Sequence, residues 1–352
     1  MQLNMSIRAP WRRVNGRLVW VALALTTVLG SQLVMAADSI VLVGSGSSVP
    51  VPLFHKWAEE YNKRSSAIQL QYLPLGTTEG IKQISHGSGD FGAGEVPLTA
   101  QQRSEGNIIE LPVVLIGIVP IYRVPGVTQE LRFSGELLAE IYLGQVKTWN
   151  APQIARLNPD VVLPNLPIVV IYRPGGKGTN YVFTDFLSKT SPKFRELIGV
   201  SPSPKWPVGS PAERSSDMAD KVGSTPGAIG YVELQYAAKQ KLLYGLVLNP
   251  AGKFVKATSE TISEACRAVE APRWDKFSTS LTNAPGANAF PITSFSWVYV
   301  RTTSSDPRRK TALTDLLNWM LDKGQQLGAE AGYSELPEQL LVKTKAKVNS
   351  LQ

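Results

Sequence analysis

The segment Arg173-Pro174-Gly175-Gly176-Lys177-Gly178-Thr179-Asn180 combines residue types that are suited to binding an oxyanion. An apolar run precedes it at residues 168–172, which predicts a strand, and residues 181–187 follow with a helical apolar period. Free N–H groups and the positive dipole end at a helix start attract anions, and an arginine donates two parallel hydrogen bonds. The pattern predicts an anion site at a strand–loop–helix junction, with Thr179 and Asn180 as N-cap residues. An ordinary turn with solvated charges is the alternative.

Two earlier junctions have the same character. Residues 39–43 predict a strand, residues 44–50 form a glycine- and serine-rich loop with Ser47 and Ser48, and an amphipathic helix follows. Residues 68–73 predict another strand, and the loop after it carries Thr77 at a helix start. A third strand-like stretch, residues 90–94, ends at Glu95. Loops that follow parallel strands meet at one edge of an α/β sheet, so we expect these residues to converge on one ligand.

Nucleotide-binding motifs fit these loops poorly. The loop at residues 44–50 lacks the third glycine of a GxGxxG motif. At Lys177 the order is Lys-Gly-Thr, which does not match the Lys-Ser/Thr order of a P-loop. The sequence therefore predicts no cofactor at either loop.

Composition and charge narrow the function classes. The chain has 352 residues, 43% apolar and 18% charged, with a net charge of +8. Four arginines and no acid lie in the first 37 residues, so the rest carries about half of that excess. Such a small excess of positive charge, scattered along the chain, is compatible with a small anionic ligand and argues against nucleic acid as a partner.

Catalytic and metal-binding residues are scarce. The one cysteine, Cys266, permits no intrachain disulfide and is expected to be a small buried residue. His55 and His86 are the two histidines, and both are expected to serve packing or to lie at the surface. Because no nucleophile–base or metal-ligand spacing is present, the sequence predicts neither a catalytic residue nor a metal site, and no enzyme.

The N-terminus has the pattern of a cleaved secretory signal. Basic residues precede an apolar run of about 12 residues, which is short of the ~20 needed to span a bilayer. Small residues follow, and cleavage is expected near Ala36 or Ala37. The mature protein is therefore expected to be secreted into the periplasm, with the outside of the cell as the alternative. An uncleaved membrane anchor is the alternative.

Further along the chain, two extended apolar stretches are expected to connect two lobes. Residues 111–122 are predicted to leave the first lobe and enter the second, and residues 291–300 to return. Residues 226–232 predict a turn and a strand, and residues 311–327 predict one amphipathic helix. Glu233, directly after that strand, is expected to be a surface charge.

These residues carry a resemblance to a known family. The loop at residues 44–50, the stretches at 80–84, 90–93 and 141–149, and the loop at 173–179 lie in the order of PstS, the periplasmic phosphate-binding protein of bacterial phosphate ABC transporters. The stretches 205–209, 227–233 and 291–294 continue the match across the mature chain. The sequence resembles this family as a whole, although each stretch alone is a weak signal.

The resemblance implies an α/β, type II periplasmic-binding fold, in which two α/β lobes are joined by two crossing strands around a ligand cleft. The expected boundaries are a signal peptide at 1–37, lobe I at 38–118 plus 289–352, and lobe II at 119–288. It also implies inorganic phosphate as ligand, membrane ABC permease subunits as partners, and a monomeric protein. The phosphate ligands are then expected to be Ser47, Ser48, Val49, Thr77, Glu95, Arg173, Lys177, Gly178 and Thr179.

A carboxylate beside an anion has a use if the ligand carries a proton. Phosphate retains a proton near neutral pH, whereas sulfate does not, so Glu95 can accept a hydrogen bond from phosphate alone. A buried acceptor facing sulfate would stay unpaired, which costs affinity.

The chain departs from the family pattern at several of these positions. Ser48-Val49 stand where the family usually has Thr-Phe, and Glu95 stands where it usually has Asp. Gly175 replaces an aspartate that commonly pairs with the arginine, and Lys177 replaces a serine. These changes leave open a different oxyanion or a larger phosphorylated ligand. They also leave open an extracytoplasmic sensor or scaffold that uses the fold without transport.

Overall fold

The computed structural model describes residues 39–64, 67–269 and 277–351. The predicted signal peptide and its cleavage site lie outside these residues. Within the described ranges, no helix has both the length and the apolar character needed to cross a membrane.

The described strands are β1 (Ile40–Gly46), β2 (Ile68–Leu73), β3 (Phe91–Gly94), β4 (Ile108–Arg123), β5 (Arg132–Phe133), β6 (Val169–Tyr172), β7 (Ser210–Pro211), β8 (Ala228–Glu233), β9 (Leu243–Tyr244), β10 (Leu246–Leu248), β11 (Phe254–Val255) and β12 (Thr293–Arg301).

The described helices are α1 (Val51–Arg64), α2 (Thr77–Ser85), α3 (Ala100–Gly106), α4 (Gly135–Tyr142), α5 (Pro152–Leu157), α6 (Gly178–Thr190), α7 (Pro192–Leu197), α8 (Ser215–Ser224), α9 (Leu234–Lys239), α10 (Ser259–Arg267), α11 (Pro307–Met320), α12 (Lys323–Glu330) and α13 (Glu338–Asn349).

One mixed sheet runs through the whole fold in the order β2-β1-β3-β12-β4-β8-β6-β7, with β9 paired to β4. On one side β1 is parallel to β2 and β3, and on the other side β6 is parallel to β8 and β7. The long strand β4 is antiparallel to β12 through its first part and to β8 through its last part. This is the expected α/β architecture of two lobes joined by crossing strands, while the residue boundaries of the lobes stay a prediction.

The sequence of β4 explains both its length and its irregularity. All its residues from Glu110 to Tyr122 are buried, as an almost continuous apolar run requires when both faces of a strand are covered. The register with β12 shifts between Ser296 and Trp297, where β4 contributes Pro112. A proline lacks the N–H that a regular ladder needs, so the irregularity falls where one bond could not form.

Each side of the sheet carries its own aromatic core. Beside β1–β3, Phe54 stacks on Tyr72 with ring centroids 4.2 Å apart. Beside β6 and β8, Phe183 stacks on Tyr231 at 4.2 Å, and Tyr142 packs edge-on against both. The second cluster lies behind the loop at residue 173, because Tyr231 also donates and accepts hydrogen bonds there.

Two sequence-based element boundaries were wrong. Strand β1 extends through Gly46, so the first part of the expected loop belongs to the sheet. Residues 311–327 do not form one helix, because α11 ends at Met320 and α12 begins at Lys323. The interruption lets the Gly324 carbonyl accept a hydrogen bond of 2.9 Å from the buried Trp57 indole. Periodicity does not report such a tertiary contact.

We expect Trp149→Ala to destabilise the fold strongly. Trp149 is fully buried and its indole N–H donates to the Gly227 carbonyl at 2.9 Å. The change leaves a cavity and removes one of the two hydrogen bonds that the Gly227 carbonyl accepts, the other coming from the Val169 N–H, so the free energy of unfolding should fall by about 3–5 kcal/mol in a urea titration. Val162→Ala is the control, because Val162 is 93% exposed and its loss should cost under about 0.5 kcal/mol. Equal losses in the two variants would contradict this packing role.

Candidate anion-binding site

Four helices begin around one point of the structure. Helix α2 begins at Thr77, α6 at Gly178 and α8 at Ser215, and α1 begins just after Ser48. The Ser48 and Ser215 hydroxyl oxygens lie 3.4 Å apart, although the two residues are 167 positions apart in sequence. Helix N-termini present free N–H groups and positive dipole ends, so their convergence favours an anion at this point.

Arg173 lies among these helix starts and is 1% exposed. Its Nη1 donates to Ser215 Oγ at 3.0 Å and to Thr179 Oγ1 at 3.3 Å. Its Nη2 donates to Ser48 Oγ at 3.2 Å and to the Glu213 carbonyl at 2.8 Å. These contacts fix the guanidinium in place, while its Nε has no hydrogen-bond partner among the described residues.

The backbone at Arg173 is held by neighbours on two elements, β8 and α6. Its N–H donates to the Tyr231 hydroxyl at 3.0 Å, and that hydroxyl donates to Asn180 Oδ1. Asn180 Nδ2 in turn donates to the carbonyls of Arg173, Pro174 and Pro202. The prediction that Thr179 and Asn180 are N-caps was wrong, because α6 already begins at Gly178 and Lys177 occupies the N-cap position.

Glu95 follows β3 directly and is fully buried. Ser296 donates to its Oε1 at 2.9 Å, Thr77 donates to its Oε2 at 3.4 Å, and the Ser47 hydroxyl also hydrogen-bonds to it. Burial raises the pKa of this carboxyl to about 8, the hydroxyl groups lower it, and the charge of Glu233 raises it. In this closed arrangement Glu95 therefore holds a proton at neutral pH.

The N-terminus of α6 packs directly on this carboxyl. A Cβ added to Gly178 would lie 2.1 Å from Glu95 Oε2 and 2.8 Å from Thr77 Oγ1. The Thr78 N–H also donates to the Gly176 carbonyl at 3.2 Å, which joins α2 to the loop that contains Lys177. Only a residue without a side chain lets the two sides of the site approach this closely.

The first loop is tightly held by its own contacts. Ser47 Oγ accepts the Val49 N–H at 3.1 Å, so this backbone donor is engaged within the loop. Tyr72, Tyr236 and Tyr333 donate to the carbonyls of Ser47, Ser48 and Val49 respectively. Two buried phenols and the half-buried phenol of Tyr236 thus fix the loop, and the Ser48 side chain remains directed at Arg173.

Lys177 lies at the rim of the site, away from its buried centre. Its Nζ is 3.3 Å from Glu213 Oε2, and the Glu213 side chain is 69% exposed. A Cβ added to Gly76 would lie 3.9 Å from Lys177 Nζ. The lysine charge therefore lies between the loop before α2 and the segment before α8.

Sequence reasoning missed three polar residues that the structure brings here. Ser215 contacts Arg173, and Ser296 contacts Glu95 from strand β12. The expectation that Glu233 is a surface charge was wrong, because Glu233 is fully buried. A hydroxyl at the start of α8 was a usable signal for Ser215, whereas nothing in the strand pattern of β12 distinguished Ser296.

The remaining chemistry-bearing residues lie apart from this point. His55 and His86 are exposed, and Cys266 is buried in the core. The described residues contain no group of three or more His, Cys, Asp or Glu side chains placed to hold a metal ion. The arrangement itself offers one fixed cation, several hydroxyl and N–H donors, and the buried carboxyls of Glu95 and Glu233, a set suited to a tetrahedral oxyanion that carries a proton.

The amino-acid sequence matches a known family and several of its members. Residues 30–323 match the family described as the PBP superfamily domain. The chain is 32% identical to the phosphate-binding protein PstS of Pasteurella multocida over 92% of this chain and 94% of that protein. It is also 32% identical to PstS of Haemophilus influenzae, over 91% and 95% of the two chains.

Solved structures share the fold at lower sequence identity. The phosphate binding protein of Stenotrophomonas maltophilia aligns with a TM-score of 0.64 and 16% identity, over 88% of this chain and 94% of that one. The sequence match, its coverage and the shared fold lead to one conclusion: the chain belongs to the PBP superfamily and, within it, to the family of PstS phosphate-binding proteins.

Proposed function

We propose that this protein captures inorganic phosphate between its two lobes and delivers it to a membrane ABC permease, without catalysing a reaction. The observation that carries the proposal is that the fixed, buried Arg173 guanidinium and the buried Glu95 carboxyl both lie where helices begin, Arg173 beside Ser48 and Ser215 and Glu95 beside Thr77 and Gly178. The relatives' names, which state phosphate binding, support the choice of ligand.

The proposed ligand set divides by role. Arg173 supplies the positive charge, and Glu95 exchanges a proton with the ligand. Hydroxyl and backbone donors surround the remaining oxygens, and Lys177 adds charge at the rim. The full set is Ser47, Ser48, Val49, Thr77, Glu95, Arg173, Lys177, Gly178 and Thr179.

Glu95 gives the site a means of distinguishing phosphate from sulfate that depends on pH. An ionised Glu95 accepts a hydrogen bond, which only a protonated ligand can donate. A protonated Glu95 donates, and both anions can accept that bond. Because the pKa of Glu95 is raised to about 8, rejection of sulfate is expected above that pH and relaxed below it.

The cellular setting follows as part of the same proposal. The chain is secreted through its N-terminal signal, cleaved near Ala36 or Ala37, acts as a periplasmic monomer, and docks both lobes on the permease. A sensor or scaffold without transport, or a binder of another oxyanion or phosphorylated ligand, is the competing function. The departures at Glu95, Gly175 and Lys177 are what keep the second alternative in view.

We expect the mature protein to bind phosphate with a micromolar or lower Kd in calorimetric titrations, after partial unfolding and refolding to remove carried-over ligand. Arg173→Lys should weaken phosphate binding at least about tenfold, because a single ammonium cannot replace the forked contacts. Sulfate and a phosphate monoester are titrated in parallel. Tighter binding of either one would redirect the ligand assignment, and no response to any anion would favour the sensor or scaffold.

We expect the ratio of phosphate to sulfate affinity to rise with pH. Sulfate needs protonated Glu95, so its affinity should fall about tenfold per pH unit above pH 8, whereas phosphate still brings its own proton. In Glu95→Gln the neutral amide donates at every pH, so the ratio should be nearly constant from pH 6 to pH 10. Glu136→Gln, an exposed change in α4, should behave like the unaltered protein. An unaltered pH profile in Glu95→Gln would refute the proton role.

We expect Gly178→Ala to block closure without unfolding the protein. The added Cβ would collide with Glu95 Oε2, but alanine is otherwise favoured in a helix. Phosphate affinity should drop at least about tenfold while the melting temperature stays within a few degrees. Gly328→Ala in α12 is the matched control, because its nearest contact would be an ordinary 3.5 Å. Full phosphate affinity in Gly178→Ala would show that closure at this point is not required.

A further inference from the structure

Glu233 is a fully buried carboxylate whose side chain has no ordinary local role. Neither oxygen has a hydrogen-bond partner of good geometry among the described residues. The residue occupies the N-cap position of α9, where an acid commonly caps the helix, yet its side chain makes no capping bond. A buried carboxylate that neither caps nor pairs is costly, so its retention needs another interaction.

The anion site supplies that interaction. Burial raises the pKa of Glu233, and the charge of Arg173 lowers it. The Ser215 hydroxyl lies between the two groups, since Arg173 Nη1 donates to Ser215 Oγ at 3.0 Å and the Ser215 side chain favours the ionised form of Glu233. With its oxygen occupied by Arg173, the Ser215 hydroxyl has its hydrogen free to turn towards an acceptor.

The charges that act on the two buried carboxyls come from few groups. Glu233 faces the guanidinium of Arg173, and its charge also acts on Glu95 across the site. Tyrosines from several elements face one or both carboxylates, and burial raises the pKa of each hydroxyl, so they remain neutral: Tyr72, Tyr236, Tyr299 and Tyr333. The buried Arg173 guanidinium therefore acts on Glu233 and is also the positive charge offered to an anionic ligand, while Glu95 is affected by the charge of Glu233.

The two carboxylates come from opposite sides of the site. Glu95 follows β3 and Glu233 ends β8, and these strands lie on either side of the β4–β12 pair in the sheet. Bringing both towards one anion is unfavourable by Coulomb's law unless a proton neutralises one of them. Glu95 is the group that takes the proton, because burial and the charge of Glu233 raise its pKa more than its three hydroxyl neighbours lower it, whereas the charge of Arg173 favours the ionised form of Glu233.

We propose that Glu233 is a positioning residue of the anion site, which acts through Ser215 on Arg173 and through its charge on Glu95 to set both the strength and the proton balance of anion capture. It partly offsets the guanidinium charge in a loop where Gly175 provides no acid. It thereby limits the affinity for the ligand, which favours release. The inference rests on the proposed function, because it concerns the same anion.

The test is calorimetric titration of phosphate and sulfate from pH 6 to pH 10 in the full mature protein. Glu233→Gln removes one buried charge at constant shape, so Glu95 should lose its proton at lower pH. The pH at which sulfate binding is half lost should fall by at least about half a unit, so sulfate binds about threefold more weakly at pH 9. Phosphate should bind several-fold more tightly at pH 7, because Arg173 is no longer offset.

Matched variants separate this role from simple packing. Glu233→Asp keeps the charge and should restore the original pH midpoint, whereas Glu136→Gln should leave both midpoint and Kd unchanged. Ser215→Ala should weaken phosphate binding about three- to tenfold by freeing the guanidinium, with little change of midpoint.

The outcomes distinguish the two proposals. If the unaltered protein binds phosphate but Glu233→Gln matches Glu136→Gln in midpoint and Kd, this inference fails and the proposed function stands. If Glu233→Gln does not fold, unchanged phosphate affinity in Ser215→Ala overturns the inference by itself. If the unaltered protein binds neither anion, the proposed function fails and the inference with it.

Discussion

The fixed burial of the Arg173 guanidinium is the constraint on which the rest of the site depends. A cation that is 1% exposed must have its donors satisfied, and here four oxygens from Ser48, Thr179, Glu213 and Ser215 accept its hydrogen bonds. Those oxygens come from separate loops, so satisfying one side chain brings three helix starts together. The anion-binding geometry follows from this requirement.

The continuous sheet makes that convergence possible. Because β4 pairs with β12 along its first part and with β8 along its last, the loops after β1 and β3 and the loop after β6 face one another. The Tyr231 ring stacks on Phe183, and its hydroxyl accepts a hydrogen bond from the Arg173 N–H, so the aromatic cluster holds the Arg173 backbone in place. The site is therefore supported by packed aromatic residues, which keep its donors in place before a ligand arrives.

Electrostatics within the site is dominated by the shortage of positive charge. The Arg173 guanidinium lowers the pKa of Glu233, whereas the pKa of Glu95 is raised by burial and by the charge of Glu233, and Lys177 is engaged at the rim by Glu213. Proton exchange at Glu95 is the natural response, since burial makes the charged form of an acid unfavourable. The hydrogen bonds that Glu95 accepts from Ser47, Thr77 and Ser296 lower its pKa and partly offset the effect of burial.

The fold class, the strand–loop–helix junctions and the polar residues Arg173 and Glu95 at strand ends were predictable from sequence. These are local or periodic signals: apolar strands, glycine-rich loops, an arginine and a carboxylate at strand ends. The tertiary structure alone decided that Ser215, Ser296 and Glu233 join the site, because they lie 42 to 201 residues from their partners and only sheet pairing places them. The break between α11 and α12 also belongs to the tertiary structure. Beside it, the Gly324 carbonyl accepts a hydrogen bond from the Trp57 indole, a contact that helical periodicity does not predict. Burial of Glu233 has the same origin, since exposure depends on what packs over a residue and no neighbouring sequence records that.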